Sequence, residues 1–157
     1  MSLLNNIQQL CIEKGVSVAV AESCTAGLIA SKLTTLSGSS SYFKGGIVAY
    51  KNEIKTKILG VSQSIIDEKT EVSAEVVRQM AKSVLEKFDT DFAIATSGYA
   101  GPTGGTNKNP IGTIFIATAS VVEVVVSRFV FLGNRQSIVN QASEIALDLL
   151  YTEIKKQ

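Results

Sequence analysis

The stretch from Ile114 to Leu132 admits few folds. It is nearly long enough to cross a bilayer as a helix, yet Glu123 and Arg128 interrupt it and Val, Ile, Phe and Thr crowd it. Charges in a lipid-facing helix are costly, and β-branched and aromatic residues favour pleated backbone. The stretch therefore reads as two strands joined by a tight turn near Ser120–Glu123, which places an antiparallel pair inside whatever sheet the chain builds.

The remaining sequence supplies the partners of that pair. Leu3, Leu4, Ile7, Leu10 and Cys11 recur at helical spacing over residues 3–14, and Gly15 stops the helix. Val16–Ala21 is a short apolar run, read as a buried strand. A helix is expected from about Thr25, with Leu28, Ile29, Leu33 and Leu36 facing inward and Gly38 at its end. Gly46–Tyr50 reads as a strand and Asn52–Leu59 as a short helix closed by Gly60. Ser73 is a good N-cap for a helix whose Val77, Met80, Val84 and Phe88 make one stripe. Phe92–Thr96 is another buried strand, and a last helix begins near Asn134 with Ile138, Ala142, Ile145 and Leu149 facing the core. No linker, repeat or charge block divides the chain, so residues 1–157 are expected to form a single domain.

Helices alternating with apolar strands, followed by two adjacent strands, predict an α/β fold: a three-layer α/β/α sandwich on a mixed β-sheet. Ligands in such folds bind beyond the carboxyl ends of the parallel strands. Glu22–Thr25, Tyr50–Lys55 and Ser97–Gly105 each follow a predicted strand, so all three can meet at one sheet edge.

The chain contains no histidine. Ser–His–Asp and Cys–His machinery and His-ligated metal sites are thereby excluded, and Lys, Tyr, Asp or Glu must carry any acid–base chemistry. Fifteen Lys plus Arg against 14 Asp plus Glu give a net charge of +1, too balanced a field to expect nucleic acid or a membrane surface as partner. Cys11 and Cys24 are too far apart for a CxxC motif, and Met1–Asn6 lacks the features of a signal peptide, so a reducing, cytoplasmic setting is expected. Asp67, Glu68 and Glu71 read as an exposed polar loop, and no metal is expected. Ser41-Tyr42-Phe43-Lys44 matches SxxK, but the SDN and KTG partners of that motif are missing.

Ser23, Cys24 and Thr25 lie between a predicted strand and a helix start, where free backbone N–H groups can hold an anion or an oxyanion. Two readings stay open here: Ser23 or Thr25 caps the helix, or Ser23 (alternatively the Cys24 thiol) is a nucleophile. A serine without histidine needs another base, and a lysine of lowered pKa is one that can serve. Lys55 is the candidate, with Lys51 and Lys57 close enough in sequence to depress it; the alternative is a solvated basic face. Ser97-Gly98-Tyr99-Ala100-Gly101-Pro102-Thr103-Gly104-Gly105-Thr106 is neither a Walker A nor a GxGxxG loop, but it allows backbone to approach a ligand.

Five ordered blocks carry a resemblance: Ala21–Gly27 (AESCTAG), Gly45–Lys55 (GGIVAYKNEIK), Thr96–Thr106 (TSGYAGPTGGT), Pro110–Phe115 (PIGTIF) and Gly133–Gln136 (GNRQ). Together they resemble the C-terminal domain of the competence-damage-inducible CinA family in its stand-alone form. The resemblance implies a nicotinamide-nucleotide amidase that converts nicotinamide mononucleotide to nicotinic acid mononucleotide and ammonia with a Ser/Lys dyad. It thus implies Ser23 as nucleophile, Lys55 as base and Tyr50 as an aid to proton transfer. Thr25, Ser97, Gly98, Gly101, Gly104, Gly105 and Arg135 are expected to bind a small nucleotide substrate, and no cofactor is required. Ala26, Asn134, Val139, Asn140 and Asn109 depart from the family pattern, the last three by lacking a cation, so amide chemistry is better supported than this particular substrate. The alternative function is a non-catalytic nucleotide-phosphate binding module of the same fold. An exposed Val-rich hairpin over Val121–Val130 leads us to expect a homo-oligomer.

Overall fold

The computed structural model describes residues 1–157. Five strands, β1 (Val18–Glu22), β2 (Phe43–Val48), β3 (Phe92–Gly98), β4 (Thr113–Ser120) and β5 (Val124–Val130), form one mixed sheet in the order β2-β1-β3-β4-β5. β1 runs parallel to both β2 and β3, while β4 and β5 are the antiparallel hairpin read from the sequence. Ser120 and Glu123 close that hairpin, with the Ser120 N–H donating to the Glu123 carbonyl at 2.8 Å.

Six helices complete the chain: α1 (Leu3–Lys14), α2 (Leu28–Leu33), α3 (Asn52–Lys57), α4 (Gln63–Lys69), α5 (Ala74–Phe88) and α6 (Arg135–Lys155). α1, α2 and α6 cover one face of the sheet, and α5 covers the other with α4 against it. Side chains alternate between the two faces along each strand. Val18, Val20, Phe92, Ile94, Ile114 and Ile116 pack with Ile7 of α1 and with Ile138 and Leu147 of α6. Their neighbours Ala19, Ala21, Ala93, Ala95, Ala117 and Ala119 pack with Val76, Val77, Met80 and Val84 of α5. Alanine extends one carbon from the sheet, so the helix supplies most of the volume of that second core.

Cap residues set the helix ends. The Ser73 hydroxyl accepts the Val76 N–H at 3.3 Å, and the Asn134 side-chain oxygen accepts the Ser137 N–H at 2.9 Å. Gly15, at φ 67°, ends α1 in the left-handed conformation.

Three local features differ from the sequence expectation. The helix expected from Thr25 to Gly38 spans only Leu28–Leu33: Ala26 (φ 49°) and Gly27 (φ 95°) are left-handed and break the helical path before it, and it closes at Thr34, short of Leu36 and Gly38. The expected polar loop around Asp67 and Glu68 is the short helix α4, whose single buried residue, Ile66, leaves too little periodicity to detect. β2 starts three residues earlier than expected and ends before Tyr50. Within the SxxK match, Lys44 Nζ instead donates to the Phe88 and Asp89 carbonyls, securing the end of α5. No helix is long and apolar enough to cross a membrane.

Candidate active site

Ser23 is the first residue beyond β1, and its N–H donates to the Thr96 carbonyl of β3 at 3.1 Å. That bond continues the ladder and fixes the serine at the carboxyl edge of the parallel strands. Lys55 reaches it from α3. Its side chain is 1% exposed, and its Nζ lies 2.9 Å from Ser23 Oγ, 2.9 Å from the Ala49 carbonyl and 3.1 Å from the Tyr50 carbonyl. A neutral amine has two hydrogens and one lone pair. Two of its three partners are carbonyls, which only accept, so the hydroxyl is the one partner able to give a proton to that lone pair.

Burial pushes the Lys55 pKa below the ordinary lysine value, opposed in part by the charge of Glu71 and then by Cys24. The neighbouring lysines do not contribute as the sequence suggested. Lys51 and Lys57 are exposed, and Lys57 pairs loosely with Glu53 at 3.7 Å on the surface.

Ser23 and Lys55 line the inner of two adjoining cavities. This inner one, of about 180 Å³, is also lined by Glu71, Ser97, Gly98 and Ala100 among others. An outer, more open one of about 700 Å³ is lined by residues including Cys24, Thr25, Gly27, Ser31, Gln136 and Val139. Cys24, Tyr50 and Arg135 line both. The Arg135 guanidinium donates to the Tyr50 hydroxyl and to the Gly101 carbonyl, each at 2.8 Å, and so forms a polar partition between the two spaces.

The expected oxyanion donors at the helix start are already occupied. Glu22 is 0% exposed, and its two carboxylate oxygens accept the Ile29 and Ala30 N–H groups at 2.9 and 3.0 Å. It thereby caps α2, whose N-cap residue Gly27 offers no side chain. Sequence reasoning missed this role, since the capping carboxylate stands seven and eight residues before the amides it serves. The Cys24 N–H, immediately after Ser23, donates to no backbone carbonyl. The Cys24 thiol is pushed up to about 12, chiefly by burial, which keeps it protonated and unsuited to nucleophilic attack.

The other candidate residues divide. Thr25 is buried, with its hydroxyl 2.8 Å from that of Thr96, and Ser97 donates to the Glu71 carbonyl at 2.7 Å. Gly98 lines the inner cavity where a Cβ would lie 2.5 Å from the Thr113 carbonyl oxygen. Gly101 contributes its carbonyl to Arg135. Gly104 and Gly105, by contrast, line a separate shallow groove with Thr106 and Asn107 and enter neither cavity of the dyad. Asn109 lines neither cavity: its amide donates to the Val72 carbonyl and accepts from Arg128. Of the three positions lacking an expected cation, only Val139 lines the outer cavity. No group of three or more Cys, Asp or Glu residues gathers as a metal site.

The CinA C-terminal domain family description matches residues 1–154. The chain is 45% identical over 148 residues to a CinA-like protein of Flavobacterium psychrophilum, covering 94% of this chain and 35% of that one. It is 44% identical over 155 residues to a CinA-like protein of Shewanella pealeana, covering 98% and 36%. The chain thus spans about a third of the length of the curated relatives it matches. Among solved structures, the competence/damage inducible protein CihA of Agrobacterium tumefaciens is 34% identical with a TM-score of 0.93, covering 96% of this chain and 92% of that one. A CinA superfamily protein of Enterobacter cloacae is 32% identical with a TM-score of 0.93, covering 97% and 90%. Sequence and fold agree, and the chain belongs to the CinA family through its C-terminal domain.

Proposed function

We propose that this chain is a serine amidohydrolase that hydrolyses the carboxamide of nicotinamide mononucleotide to nicotinic acid mononucleotide and ammonia. The observation that carries the reading is the buried Lys55 amine 2.9 Å from Ser23 Oγ, with two carbonyls holding its hydrogens. Neutral Lys55 takes the hydroxyl proton as Ser23 Oγ attacks the amide carbon. The Cys24 N–H is the nearest donor in sequence for the developing oxyanion. The lysine proton passes to the amide nitrogen, the C–N bond breaks, and ammonia leaves a seryl ester. Water then gives a proton to Lys55 and attacks the ester carbon. Ser23 departs with that proton, which frees the acid and restores the amine.

The substrate assignment rests on the family resemblance and is supported by the paired cavities: the inner suits a small amide, and the outer, with Arg135 at its boundary, suits an anionic tail. Incubation with nicotinamide mononucleotide and measurement of ammonia tests it. Turnover that disappears in Ser23→Ala supports the reading. Tight nucleotide binding without ammonia release would replace it with the non-catalytic binding module.

A further inference from the structure

Glu71 is the one carboxylate among the residues lining the inner cavity, and the dyad leaves it unused. Its backbone is held firmly. Its carbonyl accepts from Ser97, the next carbonyl, of Val72, accepts from Asn109, and the Val72 N–H donates to the Thr70 hydroxyl. Its carboxylate makes no hydrogen bond and no ion pair, although Lys55 and Arg135 line the same space. Those two cations are engaged elsewhere: Lys55 with Ser23 and two carbonyls, Arg135 with Tyr50 and the Gly101 carbonyl.

An ionised carboxylate only accepts hydrogen bonds. A primary carboxamide entering this cavity carries an NH2 group with two donors. The acid formed by hydrolysis carries none at neutral pH and brings a second negative charge into a confined, partly desolvated space. On the amidase reading above, we infer that Glu71 is a specificity-determining residue: its carboxylate receives the substrate NH2 and repels the carboxylate product. The pocket thereby prefers a neutral primary amide and releases the acid once ammonia has gone. The influence of the Glu71 charge on Lys55 is consistent with a carboxylate facing the reacting groups.

Calorimetry with nicotinamide mononucleotide and nicotinic acid mononucleotide isolates this effect, because the probes differ only at the amide. Both are titrated into Ser23→Ala, which stops turnover, and into Ser23→Ala/Glu71→Gln. The single variant is expected to bind the amide at least tenfold more tightly than the acid, about 1.4 kcal/mol. Glutamine keeps one acceptor for the amide and adds donors for the acid. The double variant should therefore tighten acid binding about tenfold while amide binding changes by less than about threefold. An amide-to-acid ratio unmoved by Glu71→Gln overturns the inference, as does failure of both probes to bind. Ammonia release by the unmodified chain is scored separately. Turnover with an unmoved ratio removes the role of Glu71 alone, whereas a collapsing ratio without turnover removes the amidase reading and leaves the discrimination standing.

Discussion

Replacing Glu22 by alanine tests the most consequential cap in the structure. The carboxylate accepts two backbone N–H groups, from Ile29 and Ala30, with no exposure to water that could replace it. A hydrogen bond to a charged group contributes about 1.5–3 kcal/mol, and an orphaned buried donor costs a similar amount. The two bonds together give an expected loss of about 3–6 kcal/mol, set against a folding stability of about 5–15 kcal/mol for a typical domain. Burying a carboxylate has its own desolvation cost, which works the other way. Glu22→Ala nevertheless removes only the acceptor and leaves both donors behind. Urea denaturation followed by circular dichroism should show a midpoint lower by about 2 M, and thermal unfolding one lower by about 10 °C. Glu22→Gln keeps one acceptor oxygen but turns an NH2 group toward the second amide, so it should lose at least half as much. A loss below about 1 kcal/mol in Glu22→Ala would refute the reasoning, since α2 would then satisfy its first turn by another route.

Lys55→Arg puts a permanently charged guanidinium, which cannot act as a base, in place of the amine, so ammonia release should fall by a factor of about 10²–10⁴. Cys24→Ala should keep most of the activity, and inactivation by that change would transfer the nucleophile's role to the thiol. The rate should rise with pH as Lys55 loses its proton, and because burial lowers its pKa, the midpoint of that limb should lie below the ordinary lysine value of about 10.4. A pH–rate profile that stays flat up to that value contradicts the assignment of the base. Ala26→Gly relieves a left-handed alanine (φ 49°) and should raise stability in urea by about 0.5 kcal/mol, with an unchanged or lower value counting against strain at that position.

The proximity of Ser23 and Lys55, 2.9 Å apart, was legible as a candidate pair. Without histidine a lysine of lowered pKa is one candidate base for a serine, and the strand pattern places Ser23 and Lys55 at the same sheet edge. The hairpin and α5 were legible for a similar reason, each having a strong periodicity and clear end signals. The Glu22 cap was hidden because familiar helix-start signals lie within three residues of the amides they serve, and this one acts across the turn containing Ala26 and Gly27. Glycine density predicted a bend in residues 98–105 but could not say which way its far half would face, and Gly104 and Gly105 turn away from the dyad. Glu71 read as part of an exposed loop because its place in the cavity depends on Ser97 holding its carbonyl and Asn109 holding that of Val72, 26 and 37 residues further along the chain.

The six alanines beneath α5 make the two halves of this fold unequal in what they tolerate. On the α1 and α6 side, branched side chains can exchange methyl groups among themselves at modest cost. Under α5 there is almost nothing to trim, so even a valine at position 95 or 117 must lift the helix. Its first turn follows directly from Glu71 and Val72, and such a displacement would travel to the wall of the inner cavity. Sites far from Ser23 on that layer can therefore retune which molecules fit, and a search for altered selectivity has reason to begin there.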